Sequence, residues 1–226
     1  MESLASHKPT TLIVGVSGDL LDVAREMGRE GERVALMSRN ADLLIRYKEK
    51  LEGWGVECEM FVADVTDSQS VLNAMMKFSA WSPRVDRLIY NVGVLSTESA
   101  ATMTESELSR VMGANFFGFV NCFQLIQPMF QRLGSGHAIV LSSASAISPD
   151  DQPVAYAASK ASLKIFLTAL RKEIVGKKIA VTEVFLGQMP TSSGLRDLTC
   201  EEIVAGLRSA LHTRPDRVLI GNDTAE

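Results

Sequence analysis

Residues Leu12 to Val23, LIVGVSGDLLDV, read as a buried β-strand followed by a glycine turn and the start of a helix. A loop that opens onto a helix N-terminus can offer backbone N–H groups and the positive end of the helix dipole to a phosphate. Gly15 and Gly18 permit the tight turn, and Ser17 adds a hydroxyl. A G-x-x-G pair alone is a weak indication of a nucleotide site, because glycine after a strand is also ordinary turn chemistry.

The same alternation of strand and helix runs through the chain, and it predicts a single doubly wound α/β domain of the Rossmann type. We expect a seven-stranded, mostly parallel sheet with helices on both faces, because the apolar runs are nearly continuous. The runs are TLIVG, RVALMS, CEMFVAD, RLIYNVG, HAIVLSS, AVTEVFLG and RVLIG, and the helical candidates are 19–30, 40–53, 67–79, 105–132, 153–175 and 200–213. The expected domain covers residues 1–226, with flexible tails at 1–9 and 222–226.

Composition argues against several classes of function. A net charge of −4 and a pI near 5.5 provide no basic surface for nucleic acid. No apolar stretch approaches the roughly 18 residues that span a bilayer, and the start MESLASHKPT lacks signal-peptide features, so we expect a cytoplasmic protein with no membrane partner. The three cysteines and three histidines lie far apart in sequence, and we expect no disulfide and no metal site.

The residues just after the apolar runs are candidates for function, because ligands of such sheets bind beyond the carboxyl ends of the strands. The second run ends in Ser38 and Arg39, where an acid would hold the ribose hydroxyl of NAD. Arg39 can pair with a 2′-phosphate and Ser38 can donate to it, which favours NADP(H) over NAD(H). The alternative is a solvated arginine at a strand end. The residues after the third and fourth runs are further cofactor candidates or plain turn formers: Asp64, Val65, Asn91, Val92 and Gly93.

The segment YAASK places Tyr156 and Lys160 four residues apart on a predicted helix, so that their side chains share a face. Alone, such a pair is common on helix surfaces. Ser143 ends the fifth run thirteen residues before the tyrosine, and a strand end and a following helix can bring its hydroxyl to the same cleft. Asn115, in VMGANFFGF, adds an amide among apolar and small residues, as a structural hydrogen bonder or as part of a site.

With these residues in this order, the chain resembles the short-chain dehydrogenase/reductase family, in its compact single-domain type, from Leu12 to about Gly221. The resemblance implies a glycine loop at Gly15 and Gly18. The segment LGQMPT, residues 186–191, resembles the family's P-G-x-x-x-T motif, which adds Gly187 and Thr191 to the cofactor-binding set. The catalytic tetrad that the resemblance implies is Asn115, Ser143, Tyr156 and Lys160.

The chemistry that the resemblance implies is hydride transfer between NADP(H) and a carbonyl or alcohol. Tyr156 would act as general acid toward the carbonyl oxygen and as general base in reverse. Lys160 would lower the pKa of Tyr156 by about one to three pH units and bind the nicotinamide ribose. Ser143 would hold the carbonyl oxygen, and Asn115 would position a water. The expected protein is a carbonyl reductase for a small molecule, assembled as a homodimer or homotetramer on helices 105–132 and 153–175.

Several residues depart from the family pattern. The third glycine falls on Leu20, after a turn one residue shorter than usual, and Asp19 places negative charge beside it. The leucine could displace the helix or block the phosphates, or the shortened loop could follow another path. Two alternatives therefore stay open, a non-catalytic NADP-binding sensor and a fold relative that binds another ligand or a protein. The short segment after residue 191 predicts an open substrate pocket, for which the lining candidates are Leu95, Ser96, Ser145, Gln188 and Met189.

Overall fold

The computed structural model describes residues 7–143, 146–147, 152–186 and 200–220. The strands are β1 (Thr10–Val14), β2 (Arg33–Ser38), β3 (Cys58–Val62), β4 (Arg87–Tyr90), β5 (Gly136–Ser143), β6 (Ile179–Leu186) and β7 (Arg217–Ile220). The helices are α1 (Gly18–Arg29), α2 (Ala41–Gly53), α3 (Ser68–Trp81), α4 (Glu105–Met112), α5 (Gly118–Leu133), α6 (Val154–Glu173) and α7 (Cys200–Thr213). A π-helical turn, Gly113–Phe117, joins α4 to α5.

All seven strands form one parallel sheet in the order β3-β2-β1-β4-β5-β6-β7. This confirms the predicted doubly wound α/β fold. The order reverses between β1 and β4, and open sheets of this kind bind ligands beyond the strand ends at that switch point. The Gly15 turn follows β1 and residues 91–93 follow β4, so the topology brings these two segments to the same place.

The sheet is buried on both faces, which explains the continuous apolar runs. Leu12 and Val14 of β1 belong to the core beneath α3, α5 and α6. Ile13 between them belongs to the opposite core, with residues of α1, α2 and α7. Successive strand residues point to opposite faces, so an alternating polar pattern would have placed polar groups inside one of the two cores.

Helix boundaries depart from the sequence prediction most clearly in the segment 105–132. The predicted single helix contains the π-helical turn, where the Tyr90 hydroxyl donates to the Ala114 carbonyl at 2.8 Å. Gly118 permits this close approach, since a Cβ there would lie 2.5 Å from the Tyr90 oxygen. A π turn adds a residue to one helical turn without ending the helix, and apolar spacing alone therefore does not reveal it.

The start of the described chain is bonded to the sheet. Of the predicted tail 1–9, residues 7–9 are held to the fold, because the Arg33 N–H donates to the Pro9 carbonyl at 2.8 Å and Arg84 donates to the His7 carbonyl at 3.0 Å. The predicted tail 222–226 lies outside the described residues. Within the described ranges, no helix is long and apolar enough to cross a membrane, and no cluster of side chains could hold a metal ion.

Candidate active site

The turn after β1 requires glycine at position 15. Gly15 has a φ of +80°, and a Cβ there would lie 2.8 Å from Val92 Cγ2 and 2.9 Å from the Asn91 carbonyl carbon and oxygen. Its N–H donates to the Met37 carbonyl at 2.9 Å, so the turn is fixed to the end of β2 as well. Residues with an L side chain rarely adopt this φ. The space that a Cβ would need at position 15 is filled by the Asn91 backbone and the Val92 side chain.

The N-terminus of α1 presents open donors beyond this turn. Ser17 is the N-cap residue, but its side chain makes no cap hydrogen bond to the first helical turn. Its hydroxyl instead accepts from Asn91 Nδ2 at 3.3 Å, and the same amide donates to the Gly15 carbonyl at 3.1 Å. A Cβ built on Gly18 would meet nothing within 4 Å. Uncapped N–H groups beside open space form a cradle that suits an anion.

Leu20 does not close this cradle. Its side chain is 1% exposed and belongs to the core with Ile13 and Leu36, between α1 and the sheet. The space in front of the glycine turn is lined by Gly15, Val16 and Ser17. The departure that remains at the cradle is Asp19, a negative charge in the first turn of α1.

A groove follows the carboxyl ends of the strands in two parts. The first part is a cavity of about 310 Å³ lined by the glycine turn, the ends of β2 and β3 and residues 91–94. The second part has a volume of about 300 Å³ and is lined by Ser143, Tyr156, Lys160 and apolar residues that include Leu95. Asn91, Val92 and Gly93 line both parts, so the two cavities meet at the switch point. Ser96 is buried and does not line the groove.

Ser38, Arg39 and Asp64 lie at the end of the first cavity. Arg39 is exposed and lines this cavity, so its guanidinium can reach a ligand there. Hydrogen bonds from the Thr66 backbone N–H at 2.9 Å and the Thr66 hydroxyl at 2.8 Å lower the pKa of Asp64, with a smaller contribution from Arg39. Asp64 is therefore a carboxylate at neutral pH.

Tyr156 and Lys160 lie on one face of α6 and face the end of β5. Burial raises the pKa of Tyr156, and a hydrogen bond with the Ser143 side chain partly opposes this. The Lys160 ammonium lies 5.7 Å from the Tyr156 ring centroid and donates to the Leu141 carbonyl at 3.2 Å. The net shift of the Tyr156 pKa is therefore upward, opposite to the fall expected from a neighbouring Lys160, because burial is the largest effect.

Asn115 joins three elements of the site. Its Oδ1 accepts from the Val94 N–H at 2.7 Å, and its Nδ2 donates to the Val94 carbonyl at 3.0 Å and to the Ser159 hydroxyl at 2.8 Å. The Ser159 hydroxyl donates to the Tyr156 carbonyl at 2.7 Å. Both amide hydrogens of the fully buried Asn115 are thus used, and the side chain fixes the loop after β4 to the helix that carries Tyr156.

The comparisons with known proteins agree with this geometry. A family model described as short chain dehydrogenase matches residues 9–197. The chain belongs to the short-chain dehydrogenase/reductase family. The fold of this family binds a nicotinamide cofactor, and the uncapped α1, the open Gly18 and the two-part groove fit such a group.

Individual relatives place the chain among oxidoreductases. It is 28% identical over 178 residues to the fatty acyl-CoA reductase of Acinetobacter baylyi, covering 77% of this chain and 60% of that protein. It is 31% identical to the Drosophila melanogaster dehydrogenase/reductase SDR family protein 7-like, covering 83% of this chain and 59% of that protein. The chain thus spans about 60% of the length of both relatives. A metagenomic short-chain oxidoreductase, solved in complex with NADP, superposes with a TM-score of 0.83 at 24% identity, over 94% of this chain and 96% of that one.

The structure brings most of the predicted site residues to one groove. Gly187 and Thr191, and the lining candidates Ser145, Gln188 and Met189, lie outside the described residues. Sequence reasoning missed Ser159, although its position three residues after Tyr156 on the same helix was an available signal. Asn115 does not line the cavities and holds the loop after β4 behind them. The predicted site residues that line the two cavities are Gly15, Ser17, Ser38, Arg39, Asp64, Val65, Asn91, Val92, Gly93, Ser143, Tyr156 and Lys160.

Proposed function

We propose that this protein is an NADP(H)-dependent oxidoreductase that interconverts a carbonyl compound and an alcohol. The observation that carries the proposal is the pairing of Tyr156 with Ser143 beside the buried Lys160 at one end of the groove. The glycine turn before the uncapped helix α1 lines the other cavity of the groove, whose far end holds Ser38 and Arg39. A dinucleotide has a matching arrangement, with its phosphates between the adenosine and the reactive ring.

The proposed cofactor contacts follow from the charges along the groove. The first turn of α1 would hold the pyrophosphate with its backbone N–H groups. Ser38 and Arg39 would hold a 2′-phosphate, and Asp64 with Val65 would face the adenine. Lys160 would donate to the nicotinamide ribose. The bound cofactor supplies or accepts the hydride, and the protein supplies the placement and the proton.

The proposed role of Tyr156 agrees with its protonation state. Because burial raises its pKa above the ordinary value for tyrosine, the phenol carries its proton at neutral pH. It can then donate that proton to a carbonyl oxygen, while the Ser143 hydroxyl donates a second hydrogen bond to the same oxygen. Lys160, with a pKa lowered to about 8 by burial, is mostly an ammonium at pH 7. Asn115 is the positioning residue, since its side chain holds Val94 and Ser159 in place.

The proposed substrate is a small carbonyl compound with an apolar part, because Leu95, Leu141 and Leu186 line the cavity beside Tyr156. Relatives named fatty acyl-CoA reductase and 3-oxoacyl-[acyl-carrier-protein] reductase, the latter from Thermotoga maritima, act on carbonyl groups. This supports the reaction class for the present chain. The exposed Leu95, at 59%, agrees with an open pocket that accepts a substrate extending beyond it.

The decisive experiment is a calorimetric titration with NADPH and with NADH, followed by a screen of carbonyl substrates. We expect binding of NADPH with weaker binding of NADH, and turnover that falls about 100-fold or more in Tyr156→Phe while NADPH affinity is retained. Binding of NADPH without any turnover would indicate a cofactor-binding sensor and not an enzyme. Absence of binding to either nucleotide would refute both.

We further propose that the protein assembles into a homodimer or homotetramer through the helical segment 105–133 and helix α6. Phe117 is 53% exposed and Ile165 is 68% exposed, although both are large apolar residues. Covering them with a second copy would remove this surface from water. Sedimentation at micromolar concentration should show an oligomer that a Phe117→Asp, Ile165→Asp variant converts to monomer, and a wild-type monomer would contradict the proposal.

A further inference from the structure

Glu183 is a buried acid that the proposed mechanism does not use. It lies in the middle of β6, where its Cα is in register with Val140 of β5 and Arg217 of β7, and its exposure is 0%. Val181, two residues earlier, belongs to the core beneath α6, so Glu183 points toward the same helix. Helix α6 carries Tyr156 and Lys160 and packs on both β5 and β6.

Basic side chains surround this carboxylate. Lys160, Lys164 and Arg171 follow one another on α6 at intervals of four and seven residues, which places them along one face of the helix. Arg217 approaches from β7, with its Nε 4.0 Å from Glu183 Oε2. The Asp216 carboxylate lies 3.8 Å from Arg171 Nε, so Arg171 interacts with both Asp216 and Glu183. Glu183 is thus the only fully buried acid among the described residues on this face of the sheet.

Neither carboxylate oxygen of Glu183 makes a hydrogen bond of good geometry among the described residues, and the nearby Ser142 hydroxyl of β5 is the polar group that favours the charged form. Burial raises the pKa of Glu183, and Arg171, Ser142, Arg217 and Lys164 oppose this in decreasing order. A buried charge without hydrogen bonds is costly, so its presence calls for compensation by nearby charge or for a functional reason.

Lys160 provides a functional reason for the buried Glu183 carboxylate, because the Lys160 ammonium is also buried. It is 3% exposed, and it lies against the Leu141 carbonyl, one residue along β5 from Ser142. The other titratable group facing it is Tyr156. Burial lowers the pKa of Lys160 to about 8, and the charge of Glu183 is what opposes this fall. Without that charge, the pKa of Lys160 would fall further.

We propose that Glu183 is a positioning residue whose buried carboxylate keeps Lys160 in the ammonium form and ready to hold the cofactor's ribose. The inference rests on the proposed function for its purpose, but the proposed coupling between the two side chains does not require a cofactor. It adds Glu183 to the site through Lys160.

The test is a direct titration of Lys160 in the protein without cofactor. Lysines labelled with ¹³C at the ε position are followed by NMR, and the Lys160 signal is assigned from its loss in Lys160→Arg. We expect a pKa of about 8 in the wild type. Glu183→Gln should lower it by about 1 pH unit, because an opposite charge is removed and burial is unchanged. Glu183→Asp keeps the charge farther from α6 and should give a smaller fall.

The matched control is Glu32→Gln. Glu32 is also a buried acid, and it pairs with Arg87 and Thr11 at the opposite end of the sheet. Its substitution should therefore destabilise the fold without changing the pKa of Lys160. A Lys160 pKa that is unchanged in a folded Glu183→Gln protein overturns the proposal. If Glu183→Gln does not fold, an unchanged value in Glu183→Asp overturns it equally.

A second readout separates this inference from the proposed function. At pH 8, Glu183→Gln should bind NADPH about three- to tenfold more weakly than the wild type, with the difference shrinking at pH 6, where Lys160 is protonated in both. A wild type that does not bind NADPH refutes the proposed function and leaves the lysine titration intact. If the wild type binds NADPH and turns over substrate, but the pKa of Lys160 does not change in Glu183→Gln, only the role of Glu183 is refuted.

Discussion

Substitution of the two loop glycines separates folding from cofactor binding. Gly18 is the first residue of α1, its φ is not in the positive region and a Cβ there meets nothing within 4 Å. Alanine favours a helix over glycine by up to about 1 kcal/mol, so Gly18→Ala should leave the free energy of unfolding unchanged or slightly raised. The added methyl would stand where the N–H groups of α1 meet the pyrophosphate.

The expected loss of binding in Gly18→Ala can be bounded. A hydrogen bond to a charged group contributes about 1.5–3 kcal/mol, so blocking one should raise the Kd for NADPH about 10- to 100-fold. Gly15→Ala provides the contrast. Its positive φ costs about 1–2 kcal/mol, and the clash with Val92 and the Asn91 backbone costs about 1–3 kcal/mol more.

The assay is a urea unfolding series together with calorimetric NADPH titration at fixed salt, for the wild type and both variants. We expect Gly18→Ala to unfold like the wild type and bind poorly, and Gly15→Ala to be less stable. Unchanged NADPH affinity in Gly18→Ala would refute the placement of the phosphates over α1. A Gly15→Ala protein as stable as the wild type would refute the steric reasoning about the turn.

Three further predictions concern charge. Asp19→Asn should tighten NADPH binding about fivefold, because it removes about 1 kcal/mol of repulsion at the cradle, and an unchanged Kd would place Asp19 away from the phosphates. Arg39→Leu should weaken binding of NADPH but not of NADH, and an equal effect on both would exclude a 2′-phosphate contact. His137 has a pKa lowered to about 3 by burial, so the unfolded chain binds more protons between about pH 6.5 and 3. Stability to urea should therefore fall as the pH drops through that range, by up to about 1.4 kcal/mol per pH unit, and less steeply in His137→Gln.

The strands could be predicted from the sequence because most of their residues are buried on both faces, and the cofactor candidates after β1 to β4 because they follow the strand ends. Arg39, Asp64 and Asn91 are separated along the chain but adjacent in space, since parallel strands bring their carboxyl ends to one edge. That inference needs only the topology. It does not depend on the packing of any side chain.

What could not be predicted depends on contacts between distant residues. Asn115 bonds Val94, 21 residues away, and Ser159, 44 residues away, and neither pairing leaves a periodic signal. The upward shift of the Tyr156 pKa could not be predicted either, because it depends on how the folded chain buries the phenol. Sequence spacing places a positive charge near the phenol, but it does not reveal how far the two groups are removed from water.

The departures in the glycine loop bear on cofactor affinity in a different way from the one that the sequence alone indicated. A leucine in place of the third glycine would block the phosphates only if it faced the groove, and Leu20 faces the core instead. Val92 fills the space against Gly15, so the turn is tightly packed while the N-terminus of α1 stays open. Steric closure is therefore removed as a reason for weak binding. Within the proposed cofactor placement, one remaining determinant is the balance between the N–H groups of α1, which would attract the pyrophosphate, and Asp19 in the same turn, which would repel it.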